Sequence, residues 1–229
     1  MRGKHALLLV LLGLLTGVCD ATTFVRLGHV FASVITGNLV VLGVSAARGD
    51  GADLVNAVCA LAGYALGALA AAPSGRGADG RTGESGEPMA WRVVSTARLW
   101  AEAGLLAAFA IAWELDPHPG RGLRLGMLVL LACAMGVQSV AVRLLGSVST
   151  TYLTGTFTSL LEAVRSRQWS PEHSRDLAIL VSVVAGAAAA LEVIDHARAA
   201  LPALQLGLLA IVLAGGHGRR RNNPGGAGR

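Results

Sequence analysis

The stretch ALLLVLLGLLTGVCDATTFVRLGHVFASVITGNL (Ala6–Leu39) decides what kind of protein this is. Its first part, Ala6–Val18, is apolar or small at every position, with neither a helical stripe nor strand alternation. A helix that is apolar all round faces lipid or a very large interior. A chain of 229 residues with several such runs has room only for the first. Asp20 then falls about 21 Å along the run at 1.5 Å per residue, inside the hydrocarbon layer. A carboxylate near a helix centre costs roughly 2.5–3.5 kcal/mol on insertion scales. Such a residue normally faces protein or a wet cavity and has a partner.

Composition supports the same reading outside this stretch. Hydrophobic residues make up 53% and charged residues 14%, too few charges to clothe a water-soluble domain. The net charge of +5 is carried mostly by single Arg residues at the ends of apolar segments. That is the positive-inside pattern of membrane proteins, and it argues against nucleic acid as a partner. Arg2 and Lys4 ahead of an apolar run resemble a signal peptide. Val18 before Cys19 is wrong for lipoprotein cleavage, and the run continues past Asp20, so an uncleaved first span is expected.

Eight apolar segments are expected, near 6–27, 30–47, 54–72, 93–115, 123–145, 148–164, 177–194 and 201–215. They form one membrane domain over 1–215, with halves near 6–115 and 123–215. A flexible polar loop at 73–89 and a disordered basic tail at 216–229 complete the chain. The fold class is an all-α integral membrane bundle. Segments two and six carry related motifs, VITGNL (Val34–Leu39) and YLTGTF (Tyr152–Phe157). Setting Thr36-Gly37 on Thr154-Gly155 also sets Gly28 on Gly146 and Val30 on Val148. After a one-residue shift upstream, Gly17 falls on Gly136, Cys19 on Gln138 and Asp20 on Ser139. An internal duplication is therefore expected.

Two topologies compete, both with a cytoplasmic N-terminus. If all eight segments span, about 12 Lys and Arg lie inside and about 7 outside. If segments two and six are re-entrant, six segments span and the split becomes about 14 to 5. The second obeys the positive-inside rule better. It gives each half three spans, so the halves would be inverted and both termini cytoplasmic. Against it, segment two is just long enough to cross.

The candidate substrate or ion site comprises Asp20 with Arg143 as its expected partner, Thr36, Gly37 and Asn38, and Thr154, Gly155 and Thr156. A Gly among hydroxyl and amide side chains can break a helix, exposing backbone groups to a small solute or ion. Two such motifs would meet near a pseudo-twofold axis. Ordinary helix packing explains the same residues, with Asp20 as interhelical glue and Arg143 snorkelling to the interface. Gly63 and Gly67, and the small residues around Gly186, read as packing signals. Arg98 and Glu102, spaced i, i+4, are expected to pair at the interface unless Glu102 reaches the interior. Cys19, Cys59 and Cys133 read as small packing residues. No metal-ligand spacing, hydrolase elbow, phosphate loop or dinucleotide fingerprint appears, so neither an enzyme nor a cofactor or metal site is expected.

The motifs GVCDA (Gly17–Ala21), LGHVF (Leu27–Phe31) and TGNLV (Thr36–Val40) resemble the YoaK-like family of bacterial membrane proteins, a domain of unknown function. With the second Thr-Gly motif and the basic tail, the resemblance covers essentially the whole chain. It implies a multi-pass inner-membrane protein of about six spans, and no established activity. The expected partners are the lipid bilayer and a small solute or ion. The alternative is a scaffold, sensor or assembly protein that transports nothing.

Overall fold

In a lipid environment every backbone N–H and C=O must be satisfied within the chain, which leaves helices as the default for a sequence this apolar. A computed structural model describes residues 2–73, 88–144 and 153–217, and side chains within 6–73, 97–143 and 153–215. Among the described residues there is no strand. The order is α1 (Arg2–Thr22), a π-helical turn (Thr23–Gly28), α2 (Ile35–Arg48), α3 (Gly51–Ala71), α4 (Pro88–Leu115), α5 (Arg121–Leu144), α6 (Leu153–Ser166), α7 (Pro171–His196), a 3₁₀ turn (Arg198–Ala200) and α8 (Leu201–His217). All eight expected segments are present. Residues 74–87 of the expected loop at 73–89, the match of Gly146 and Val148, and most of the basic tail lie outside the described residues, while residues 88 and 89 already belong to α4.

Five stretches are long and apolar enough to cross a membrane: Ala6–Gly28, Gly51–Ala71, Arg121–Arg143, Pro171–His196 and Arg198–Gly215. α4, with 28 residues, is also long enough, but it carries Arg98, Glu102 and Glu114. α2 and α6 have 14 residues each. At 1.5 Å per residue they reach about 21 Å, short of a hydrocarbon layer about 30 Å thick. α1 and α5 form the centre, burying Leu12, Leu15 and Val18 on one and Met127, Leu128 and Leu131 on the other. α3 and α7 pack outside them and turn Leu66, Leu69, Val181 and Val184 outward. Such an apolar outer surface suits acyl chains.

Helix directions follow from the contacts. α1 packs most extensively on α7, and α3 on α5. Gly13 lies against Ile179 and Ser182, and Gly17 against Val183 and Ala187, so α1 and α7 run parallel. Gly63 lies against Val129, and Gly67 against Cys133, so α3 and α5 do the same. α1 and α5 are antiparallel: Gln138, late in α5, bonds to Leu12 and Thr16, whereas Arg124, early in α5, shares a cleft with Arg26 and Leu27. The start of α1 meets the end of α8, where Leu8 approaches Gly215. Both described ends of the chain therefore sit on one face, and the cleft opens on the other.

These contacts repeat under one shift in numbering. A side chain at Gly17 would collide with the Val183 carbonyl and the Ala187 N–H; at Gly136 it would meet the Tyr64 carbonyl and the Ala68 N–H. Gly186 lies on the Leu14 carbonyl, and Gly67 on the Cys133 carbonyl. The shift that carries Gly17 onto Gly136 carries Leu14 onto Cys133, Tyr64 onto Val183 and Gly67 onto Gly186. The two halves are thus exchanged by a pseudo-twofold relation, with inverted directions. They are not separate lobes, since the third helix of each half embraces the first helix of the other.

Segment two departs from the expected helix at its start. Gly28 and His29 have φ of 142° and 57°, which turn the chain back on itself. Residues 29–34 then descend without helical structure, and α2 climbs back to Arg48. Asn56 Nδ2 near the start of α3 donates to the Gly28 carbonyl at 3.3 Å. α1 therefore ends and α3 begins on the same face, and α2 is re-entrant.

Two outcomes check this architecture. In a variant lacking the three cysteines, Asp50→Cys and His118→Cys should react with an impermeant thiol reagent from one side of the membrane. Ala72→Cys and Gln168→Cys should react only from the other. In a thermal-melting comparison, Gly67→Ala and Gly186→Ala should each lower stability by about 1–3 kcal/mol, because Cβ meets backbone that cannot move aside. Gly104→Ala and Gly207→Ala, with nothing near the added Cβ, should change it by less than about 0.5 kcal/mol or raise it slightly.

Candidate functional site

Asp20 is 9% exposed and both of its oxygens are occupied. Oδ1 accepts from the Ser33 N–H at 2.7 Å and Oδ2 from the Ser33 hydroxyl at 2.6 Å. Asp20 lies about 12 Å below Gly28 at 1.5 Å per residue, so its grip on Ser33 holds the descending leg at that depth. Ser33 stands two residues before α2. The carboxylate thus also faces the positive end of a helix whose first turn has no side-chain cap. Charge-assisted bonds of this length are the strong kind. Arg143 is not the partner expected from the sequence: it is exposed at the far end of α5.

The first Thr-Gly motif is divided in its roles. Asn38 is fully buried, donates to the Phe31 carbonyl at 2.6 Å and accepts from the Phe31 N–H at 2.9 Å. It therefore satisfies a stretch of backbone that has no helical partner of its own. Gly37 leaves room for Phe31, whose ring would lie 3.3 Å from an added Cβ and which stacks on Phe24. Thr36 is exposed. In the second motif Thr154 and Gly155 are exposed and Thr156 is half-buried. α2 packs on α3 and α6 on α7. The two motifs thus lie on separate outer flanks, where the sequence had suggested they would meet between the halves. The packing decides this: glycines on α1, α3, α5 and α7 claim the closest approaches.

A different cluster occupies the centre. Thr16 and Cys19 on α1, Gln138 on α5, Gln205 on α8 and Glu102 on α4 are each at most 1% exposed. Gln138 Nε2 donates to Thr16 Oγ1 at 2.9 Å and to the Leu12 carbonyl at 3.2 Å. Gln205 Nε2 approaches Cys19 Sγ at 3.7 Å. Glu102 lies within electrostatic range of Cys19. Both Glu102 oxygens, and the side-chain oxygens of Gln138 and Gln205, have no hydrogen-bond partner among the described residues. Glu102 does not pair with Arg98, whose Nε donates to the Ala71 carbonyl at 2.5 Å and ties α4 to the end of α3.

The cluster obeys the exchange of halves. EAGLLA (Glu102–Ala107) and QLGLLA (Gln205–Ala210) match in sequence. Leu106 and Leu209 are both 1% exposed, and Gly104 and Gly207 both face open space. Glu102 falls on Gln205 at a smaller shift than the one that sets Cys19 on Gln138, because the first half has a longer connection between its last two helices. This second repeat was legible in the chain, but it lies far from the Thr-Gly motifs that draw attention first. Chemically, the cluster offers four unsatisfied acceptor oxygens in a low-dielectric interior. It suits a cation, a proton, or a solute bearing N–H or O–H groups. Among the described residues no group of three His, Cys, Asp or Glu side chains is arranged to hold a metal ion.

Asp20 and Asn38 are therefore framework residues in their contacts. Asp20→Ala should lower stability by about 2–4 kcal/mol in reversible unfolding, since it strands the Ser33 N–H. It should couple to Ser33→Ala by about 1–3 kcal/mol in a double-mutant cycle. Thr36→Val should change stability by no more than about 0.5 kcal/mol.

Comparison with known proteins gives two matches. The model of a family described as "Protein of unknown function (DUF1275)" matches residues 8–215. The chain is 33% identical over 163 residues to a protein of Bacillus subtilis (strain 168) called UPF0700 transmembrane protein YoaK. The alignment covers 70% of this chain and 67% of that protein. No solved structure matches.

Proposed function

The chain belongs to the DUF1275 family and is similar to a transmembrane protein of Bacillus subtilis, and from that premise we propose that it is a small-solute or ion transporter or channel with its site between two inverted halves. The observation that carries this reading is Glu102, fully buried among four helices with neither oxygen hydrogen-bonded. An ionised carboxylate left unpaired in such an interior costs several kcal/mol, so it must take up a proton, a cation or a hydrogen-bonding solute. Gln138 and Gln205 supply further acceptors, and the pseudo-twofold relation runs through the same cluster. Inverted repeats with a polar site at their interface are a recurrent plan of secondary transporters. In this reading Glu102, Gln138 and Gln205 bind. Asp20, Asn38 and Gly37 hold the re-entrant leg that frames the site. Thr36, Thr154, Gly155, Thr156 and Arg143 are peripheral.

We assign the face bearing the described ends to the cytoplasm of a bacterial inner membrane, because six crossings would divide the Lys and Arg of the sequence about 14 to 5 in its favour. The protein acts without a catalytic centre or cofactor. The rival reading is a scaffold or assembly protein in which Glu102 merely packs.

Purified protein in liposomes distinguishes the two. Proton movement is followed with an enclosed pH dye while gradients of protons, alkali cations and small polar solutes are imposed. Glu102→Gln should reduce the active flux at least about tenfold, with melting temperature unchanged or higher because a buried carboxylate is gone. Equal flux in wild type and Glu102→Gln under every gradient would sink the transporter reading. A lowered melting temperature with no flux in either protein would favour the scaffold.

A further inference from the structure

The face opposite the described chain ends carries a cleft of about 430 Å³, and the charged side chains among its described lining residues are all basic. Arg26 enters from the turn after α1, Arg124 from the first turn of α5 and Arg198 from the 3₁₀ turn before α8. Trp113, buried at the end of α4, and the exposed His118 also line it. Among the described residues no acidic side chain lines it. Asp116, on the adjoining turn, has its Oδ1 occupied by the His118 N–H at 2.8 Å.

Arg198 is held in place. Its guanidinium lies 4.5 Å from the centre of the Trp113 ring, and Nη2 donates to the Trp113 and Asp116 carbonyls at 2.7 and 3.1 Å. Trp113 Nε1 returns a bond to the Arg198 carbonyl at 3.0 Å. Neither Arg26 nor Arg124 has an acidic partner within ion-pair distance among the described residues. Three guanidiniums around one concavity repel each other unless an anion lies between them, and a low-dielectric wall strengthens both effects. Guanidinium forks match the paired oxygens of phosphate and carboxylate. The surrounding wall of Val25, Leu27 and Trp113 is apolar, and the volume lies in the range of small-ligand sites.

We propose that this cleft is a binding site for a phosphate or carboxylate oxyanion, clamped between Arg26, Arg124 and Arg198 above Trp113. The anion comes either from a free solute or from the headgroup of an anionic lipid in the adjacent leaflet. The site does not depend on the role of Glu102, which lies eleven residues before Trp113 on α4, about 16 Å along the helix.

The test uses the full chain in nanodiscs and reads the melting temperature, since a ligand that binds only the folded state raises it. In phosphatidylcholine discs, inorganic phosphate is compared with chloride at equal ionic strength. Separately, phosphatidylglycerol replaces part of the phosphatidylcholine. Arg26→Gln and Arg124→Gln, both at exposed positions, are run in parallel. The expected result is a rise in wild type that is lost, or needs at least about tenfold more ligand, in both variants. A rise with inorganic phosphate makes the anion a solute, and a rise only with phosphatidylglycerol makes it a lipid headgroup. No rise in either series, or an equal rise in the variants, overturns the site.

Discussion

The close approach of glycine to backbone carbonyl at four places governs everything else in this bundle. Gly17 and Gly186 bring α1 and α7 together, and Gly67 and Gly136 do the same for α3 and α5. Lipid removes the hydrophobic drive between helices, so association rests on close packing and on hydrogen bonds between them. Two tight parallel pairs, each joining one half to the other, lock the inverted halves into a single interdigitated body. With α3 and α7 held outside, α1, α4, α5 and α8 are left to enclose the centre.

Within that frame, two buried carboxylates have opposite fates. Asp20 meets the N–H and hydroxyl of Ser33 and becomes a fastening for the re-entrant leg. Glu102 meets no donor among the described residues. The first is satisfied by the fold itself, and the second keeps its acceptor oxygens unused among the described residues. The difference lies in backbone geometry. The leg at residues 29–34 lacks helical bonds and has N–H groups to offer, while the helices around Glu102 have satisfied theirs internally.

Much of this was legible beforehand. Eight apolar segments, the Gly17–Gly136 match and the packing roles of Gly63, Gly67 and Gly186 all follow from residue type and spacing. The Lys and Arg count favoured six crossings, and the contacts of Gln138 and Arg124 agree with it. The candidate site was legible only in part. Asp20 stood out because acids are rare in such runs, but its partner lay thirteen residues on, in a leg that hydropathy reads as helix. Glu102 looked like half of an interfacial pair, because i, i+4 spacing to Arg98 is a local signal. Nothing local reports that the Ala71 carbonyl, at the end of another helix, would take the arginine.

Hydropathy by itself determined that this chain lives in a membrane and where its apolar segments fall, because the cost of burying polar groups in lipid is charged residue by residue, and residue motifs pointed to the repeat. Which polar residues meet was decided only by the tertiary structure. The Thr-Gly motifs lie on the flanks, and Glu102, Gln138 and Gln205 lie at the centre, because helix crossings set by distant glycines choose which face of each helix turns inward. Spacing along one helix fixes which residues share a face. It does not say which face the neighbours will claim.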